Sequence, residues 1–168
     1  MPSLKKGAFI VGGKFGRGFV SCRKSSGLGW GAPGAVKVEG GSFGFQIGGA
    51  ETDVVMLVMN RSGANRLLGS RFTLGGDASV AAGPVGRDTS AQTDARLTAE
   101  ILTWSRQRGV FAGISLSGAT LREDDDWNKQ MYGREMHNRQ VVSGEVQPPA
   151  GSQKLLAALN KYSSRHGS

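Results

Sequence analysis

Asp53-Val54-Val55-Met56-Leu57-Val58-Met59 is apolar almost without a break, and a run of this kind suits a strand buried on both faces in the middle of a sheet. Glycine punctuates the chain around it, 27 in 168 residues, far above ordinary globular usage. These glycines keep no period of three and cluster between apolar runs, where turns and bulges belong, so a β-rich fold follows. Upstream, residues 8–11 and 18–22 read as a hairpin turned by residues 12–16, and residues 35–38 and 42–47 as a second pair turned by Gly40-Gly41. Between the pairs, residues 25–34 form a Gly/Ser/Pro loop that carries Trp30. Phe43, Phe45 and Ile47 alternate with Gly44, Gln46 and Gly48, which puts the bulky side chains on one face.

Downstream, Asn60-Arg61-Ser62 offers N-cap chemistry for a short helix through Leu68 that Gly69 ends. Residues 97–108 carry both helical and alternating spacing. The strand reading is favoured because Gly109 and the β-like residues 110–116 would close a hairpin with it. Asp124-Asp125-Asp126 supplies a cap and favourable charge for a helix over residues 127–132, stopped by Gly133. Pro148-Pro149 breaks the chain, and Ser152 caps a last amphipathic helix with Leu155, Leu156, Leu159 and Tyr162 on one face. No repeat of 20 to 50 residues is visible, and strands without regular long helices between them argue against a parallel α/β fold. The expected class is α+β: a curved, mainly antiparallel sheet or partly closed barrel with a few short helices and a C-terminal amphipathic helix. Residues 1–162 read as a single domain, long enough to need no disulfide or structural metal, and residues 163–168 as a loose tail. Cys22, the lone cysteine, reads as a small buried strand residue. No run approaches the roughly 20 apolar residues of a membrane span and no signal-peptide core is present, so the chain reads as soluble.

The formal charge of +8 and pI near 10.2 predict attraction to polyanions. Its distribution is uneven: Lys5, Lys6, Lys14, Arg17, Arg23, Lys24 and Lys37 all precede the first acidic residue, Glu39. Nucleic acid is disfavoured, for there is no RNP-like motif, zinc spacing or basic helix. A membrane surface competes better, since clustered Lys and Arg near an anionic leaflet contribute about 1 kcal/mol each. Residues 12–18 invite a phosphate-loop reading but lack its motif order and a following helix, leaving a basic turn able to meet phosphate oxygens. Catalysis has little support: His137 and His166 lie in the polar C-terminal region with no evident nucleophile, and Ser42 does not sit in a nucleophile elbow. The run Glu123-Asp124-Asp125-Asp126 offers carboxylate oxygens to a hard cation, with Asp124, Asp125, Asp126 and Asn128 as the candidate residues for calcium; the plain alternative is a solvated, helix-capping cluster. Asp77 would join that site or merely cap a turn, and no cofactor is required.

Residues 40–48 (GGSFGFQIG), 52–60 (TDVVMLVMN), 74–87 (LGGDASVAAGPVGR) and 108–119 (RGVFAGISLSGA), with Tyr132-Gly133 and residues 154–159 (KLLAAL), together resemble the SYLF domain family over nearly the whole chain. The resemblance implies a non-catalytic domain that binds phosphoinositides or other anionic lipids, peripherally associated with membrane. It implies actin binding in fungal relatives that carry a Src-homology 3 domain; the lack of that domain here argues against actin. The glycine-rich style around Gly75-Gly76-Asp77 is similar to bacterial members, often exported or lipid-anchored, which implies a cell-envelope setting. The family's helical segment upstream of the stretch similar to residues 2–9 is not in this chain, nor is a signal segment. Lys5 and Lys6 match the family's positive N-terminal feature, and Lys14, Arg17, Arg23 and Lys24 extend it, making these six the expected lipid-binding residues. The alternative is a structural or scaffolding envelope protein whose ligand is another protein, with or without a divalent ion.

Overall fold

The computed structural model describes residues 5–6, 14–26, 29–39, 53–85, 98–107, 109–113, 116 and 118–163. Strand β1 (Lys5–Lys6) is followed by β2 (Lys14–Val20), β3 (Gly34–Glu39) and β4 (Asp53–Val58). Helix α1 (Arg61–Leu67) leads to β5 (Arg71–Thr73), β6 (Val80–Ala82), β7 (Ile101–Gln107), β8 (Val110–Gly113) and β9 (Thr120–Glu123). Helices α2 (Asp125–Tyr132) and α3 (Asn138–Val141), a 3-10 turn (Ala150–Ser152) and α4 (Gln153–Tyr162) complete the described chain. The fold is α+β. One sheet has the order β1-β2-β3-β9-β5, the other β4-β7-β6 with β8 also on β7, and neither closes into a barrel among the described residues. Every pairing with a resolved register is antiparallel except β6 with β7.

The Cα positions divide into two compact units. The first comprises Met1–Gly18 and Lys37–Arg122. Its centre is β7, along one edge of which β4 runs antiparallel from Asp53↔Arg106 to Val58↔Ile101. The other edge is shared: β6 pairs in parallel with residues 101–103, and β8 pairs with residues 104–107. Gly83 and Gly113 make this division sterically feasible. A Cβ on Gly83 would overlap the Trp104 indole, and one on Gly113 would overlap the Gly83 carbonyl oxygen. Val38, Val54, Phe72, Leu74, Ala78, Ile101, Leu116, Ala119 and Leu121 form the core, with Met56, Val58, Leu67 and Val80 packed against it.

The second unit comprises Phe19–Val36 and Glu123–Ser168. It has a smaller apolar centre, Ala32, Met136 and Val141 with Tyr132 and Val146 around it. Asp124 N-caps α2 by accepting from the Trp127 N–H, and Gly133 closes that helix in the left-handed region at φ +70. The α1 cap is equally local, with Asn60 Oδ1 accepting from the Gly63 N–H at 2.7 Å.

The sequence expectations are corrected at three places. The run at 53–59 is not buried on both faces: β4 is the edge of its sheet among the described residues, with Val54 buried and Val55 48% and Leu57 45% exposed. The central strand is instead β7, whose Thr103 and Ser105 are buried despite their polarity. Lys14, Phe15 and Gly16 are strand rather than turn, pairing through Lys5↔Phe15 and Lys6↔Lys14. Ser152 does not cap α4 with its side chain, because its hydroxyl donates to the Pro149 carbonyl. Residues 8–11 and 42–47, both expected as strands, lie outside the described residues.

Candidate functional site

The basic residues expected to meet lipid fall on unlike settings. Lys5, Lys6 and Lys14 belong to the β1–β2 pair, Lys6 directly opposite Lys14. Arg17 is exposed on β2 between the buried glycines 16 and 18. In the second unit Lys24 is exposed, whereas Arg23 is half-buried with its guanidinium 4.8 Å from the centre of the Trp30 ring. That stacking makes Arg23 a packing element of its own loop as well as a positive charge.

The first unit carries a feature that charge counting did not reveal. The outward face of β4 leaves Val55, Leu57 and, just beyond the strand, Met59 exposed, and β8 exposes Val110 and Phe111. Val55, Phe111, Trp104, Pro84 and Val85 line an apolar cleft of about 350 Å³. The Trp104 N–H is satisfied by the Pro84 carbonyl oxygen at 3.0 Å, which leaves the ring's apolar body to the cleft. Arg106 lies over the Phe111 ring at 5.9 Å, so a cation stands beside the apolar wall. The alternation of Val55 and Leu57 was the available signal, hidden because the residues between them are apolar too.

In the second unit the predicted metal residues separate. Asn128 is fully buried and consumed by structure: its Oδ1 accepts from the Ala35 N–H at 2.8 Å, and its amide nitrogen donates to Asn138 Oδ1 at 2.7 Å. Asn138 in turn donates to the Ala35 carbonyl at 2.8 Å, closing a buried three-residue clamp. Asp124 is buried at the head of α2, and Asp126 is exposed on its first turn. Only Asp125 joins a convergent set, with Glu123 and His137, whose donor atoms all lie within 4.8 Å of one another. Glu123 ends β9, Asp125 opens α2 and His137 precedes α3, so three elements supply one group each.

The electrostatics of that set are strong. His137 Nδ1 lies 2.6 Å from Glu123 Oε1, and Glu123 Oε2 accepts from the Asn138 backbone N–H at 2.7 Å. Burial pushes the Glu123 carboxyl upward, but its hydrogen bonds with His137, the Asn138 N–H and Asp125 prevail, and it is held below the ordinary range. The hydrogen bond to Glu123 raises the His137 imidazole, helped by the negative charge of Glu123, Asp125 and Glu135. Sequence reasoning found Glu123 and Asp125 as members of one acidic run, without separating them from Asp124 and Asp126. It also set His137 aside, since a carboxylate fourteen positions upstream follows no metal spacing.

Comparison with known proteins places the chain. A family model described as Ysc84, Las17-binding protein actin regulator, matches residues 39–162. The SH3 domain-containing YSC84-like protein 1 of Rattus norvegicus is 33% identical over 165 residues, covering 98% of this chain and 48% of that protein. The SH3 domain-containing protein PJ696.02 of Schizosaccharomyces pombe is 37% identical over 164 residues, covering 95% of this chain and 37% of its own length. LAS seventeen-binding protein 3 of Saccharomyces cerevisiae is 31% identical over 162 residues, 94% of this chain and 35% of that protein. The chain thus spans about half, or less, of the length of these relatives. No solved structure matches it. Matched by the family model over most of its length and by relatives nearly end to end, the chain belongs to the Ysc84 family, in which the shared domain is the SYLF domain.

Proposed function

We propose that this chain is a non-catalytic module that docks peripherally on anionic membrane, with anionic lipids of the phosphoinositide type as its ligands. The observation that carries the reading is the apolar cleft of the first unit, bordered by exposed Val55, Val85 and Phe111, in a chain of net charge +8. An interfacial surface needs both components. Cations gather an anionic leaflet from a distance at about 1 kcal/mol each, and apolar side chains then add burial energy of roughly 25 cal/mol per Å² removed from water. Lys5, Lys6, Lys14 and Arg17 supply the first within the same unit.

Co-sedimentation with neutral, phosphatidylserine and phosphoinositide vesicles tests this at low and physiological salt. Binding confined to anionic vesicles and weakened by salt is expected, with loss of most of it in the Lys5→Gln, Lys6→Gln, Lys14→Gln, Arg17→Gln variant. Phe111→Ser should weaken binding at a salt level where the cations are already screened. A folded chain that ignores every vesicle sinks the reading.

A protein partner is the second reading, favoured by the family description of a Las17-binding actin regulator and by the name of the Saccharomyces cerevisiae relative. Pull-down of an actin-regulating partner that survives high salt and is indifferent to lipid would favour it.

A further inference from the structure

We propose that Glu123, Asp125 and His137 form a binding site for a divalent first-row transition-metal ion of the zinc class, independent of the membrane reading. The donor set is one imidazole nitrogen and two carboxylates, brought from the end of β9, the first turn of α2 and the residue before α3. An imidazole nitrogen selects zinc or its neighbours over calcium, which takes six to eight oxygens. Three protein donors leave positions for water or a ligand from outside, the arrangement of an open zinc site.

The fold holds one donor, Glu123, and the backbone that carries a second, His137. Glu123 Oε2 is fixed by the Asn138 N–H, which leaves Oε1 for the ion and sets the carboxylate plane. Asn138 is itself locked by the buried clamp with Asn128 and Ala35, so the backbone that presents His137 is tied one residue away. Asp124 caps α2 and directs its own side chain inward, which assigns the neighbouring exposed Asp125 to the site instead. Donors to one ion at about 2.1 Å stand at most about 4.2 Å apart, so the 4.8 Å spread closes with a side-chain adjustment of the exposed Asp125 and His137. The His137 ring is largely exposed, which gives an ion a route from solvent. Without an ion, the 2.6 Å contact between His137 Nδ1 and Glu123 Oε1 is a charge-assisted hydrogen bond, and the metal takes the place of the shared proton.

The test is titration of the full chain with zinc and with calcium by calorimetry, and with cobalt followed by its visible absorption. One zinc site per chain and a cobalt spectrum of low coordination number are expected, with no calcium response in the same range. His137→Asn and Asp125→Asn should each weaken zinc binding by at least the roughly tenfold that loss of even an outer-shell partner costs. His166→Asn and Cys22→Ser, which remove the other imidazole and the only thiol, should leave it unchanged. Asp125 is exposed, so its variant keeps the test valid even where His137→Asn disturbs folding, and circular dichroism verifies each fold. Zinc affinity indifferent to both ligand variants, or absent at a hundred-fold molar excess, overturns the proposal.

Discussion

Each of the two units of this chain is stabilised internally by different means. In the first, Phe72, Leu74, Ile101, Val54 and Leu121 bury apolar surface between strands, and the polar residues inside it, Thr103 and Ser105, belong to the central strand. In the second, three apolar residues form the centre, and the fully buried Asn128, with Asn138, ties Ala35 at the start of β3 to two helices. Apolar burial tolerates any set of side chains that fills the space, whereas a buried amide is stable only when every donor and acceptor meets its partner. The contrast extends to what each unit presents to solvent, an apolar cleft in one and a charged Glu-Asp-His set in the other.

If the first unit rests on volume, Phe72→Ala should give the largest effect, a loss of about 3–5 kcal/mol measured as a drop in the denaturant midpoint. A loss under about 1 kcal/mol would mean that the apolar cluster does not carry that unit. Next in size, Asn128→Ala orphans the Ala35 N–H and Asn138 Oδ1, costing about 2–4 kcal/mol. Asn128→Leu sharpens the comparison: it restores volume but neither hydrogen bond, so it should be no better than alanine. Rescue by leucine would show that the second unit, too, is held by packing.

The smallest effect tests the rim of the second core. The Tyr132 hydroxyl donates to the Pro33 carbonyl at 2.6 Å, and burial pushes its pKa up to about 12. Because the folded value lies above the ordinary 10.0, this group's contribution is complete below pH 10 and is lost as pH rises towards 12. Tyr132→Phe should cost about 1 kcal/mol at neutral pH and flatten the alkaline fall in stability, with loss of one late phenolate step on ultraviolet titration. An unchanged alkaline slope would place the burial elsewhere.

Local chemistry was legible from residues alone. The caps at Asn60 and Asp124, the stop at Gly133, the hairpin turned at Gly109 and the strand character of residues 101–107 each depend on neighbours a few positions apart, and each is found where expected. The family, too, was readable, because its glycine and apolar runs recur in order along one chain. Tertiary structure alone decided which strand is central. An apolar run and an edge strand with an exposed apolar face look identical in one dimension, and only the pairing of β7 on both edges distinguishes them. It also decided that Asn128 serves the interior while Glu123, Asp125 and His137 converge. Ala35, Asn128 and Asn138 lie up to 103 positions apart, and hydrogen bonds over such separations have no periodic trace in sequence, since they arise only after the chain has folded back on itself.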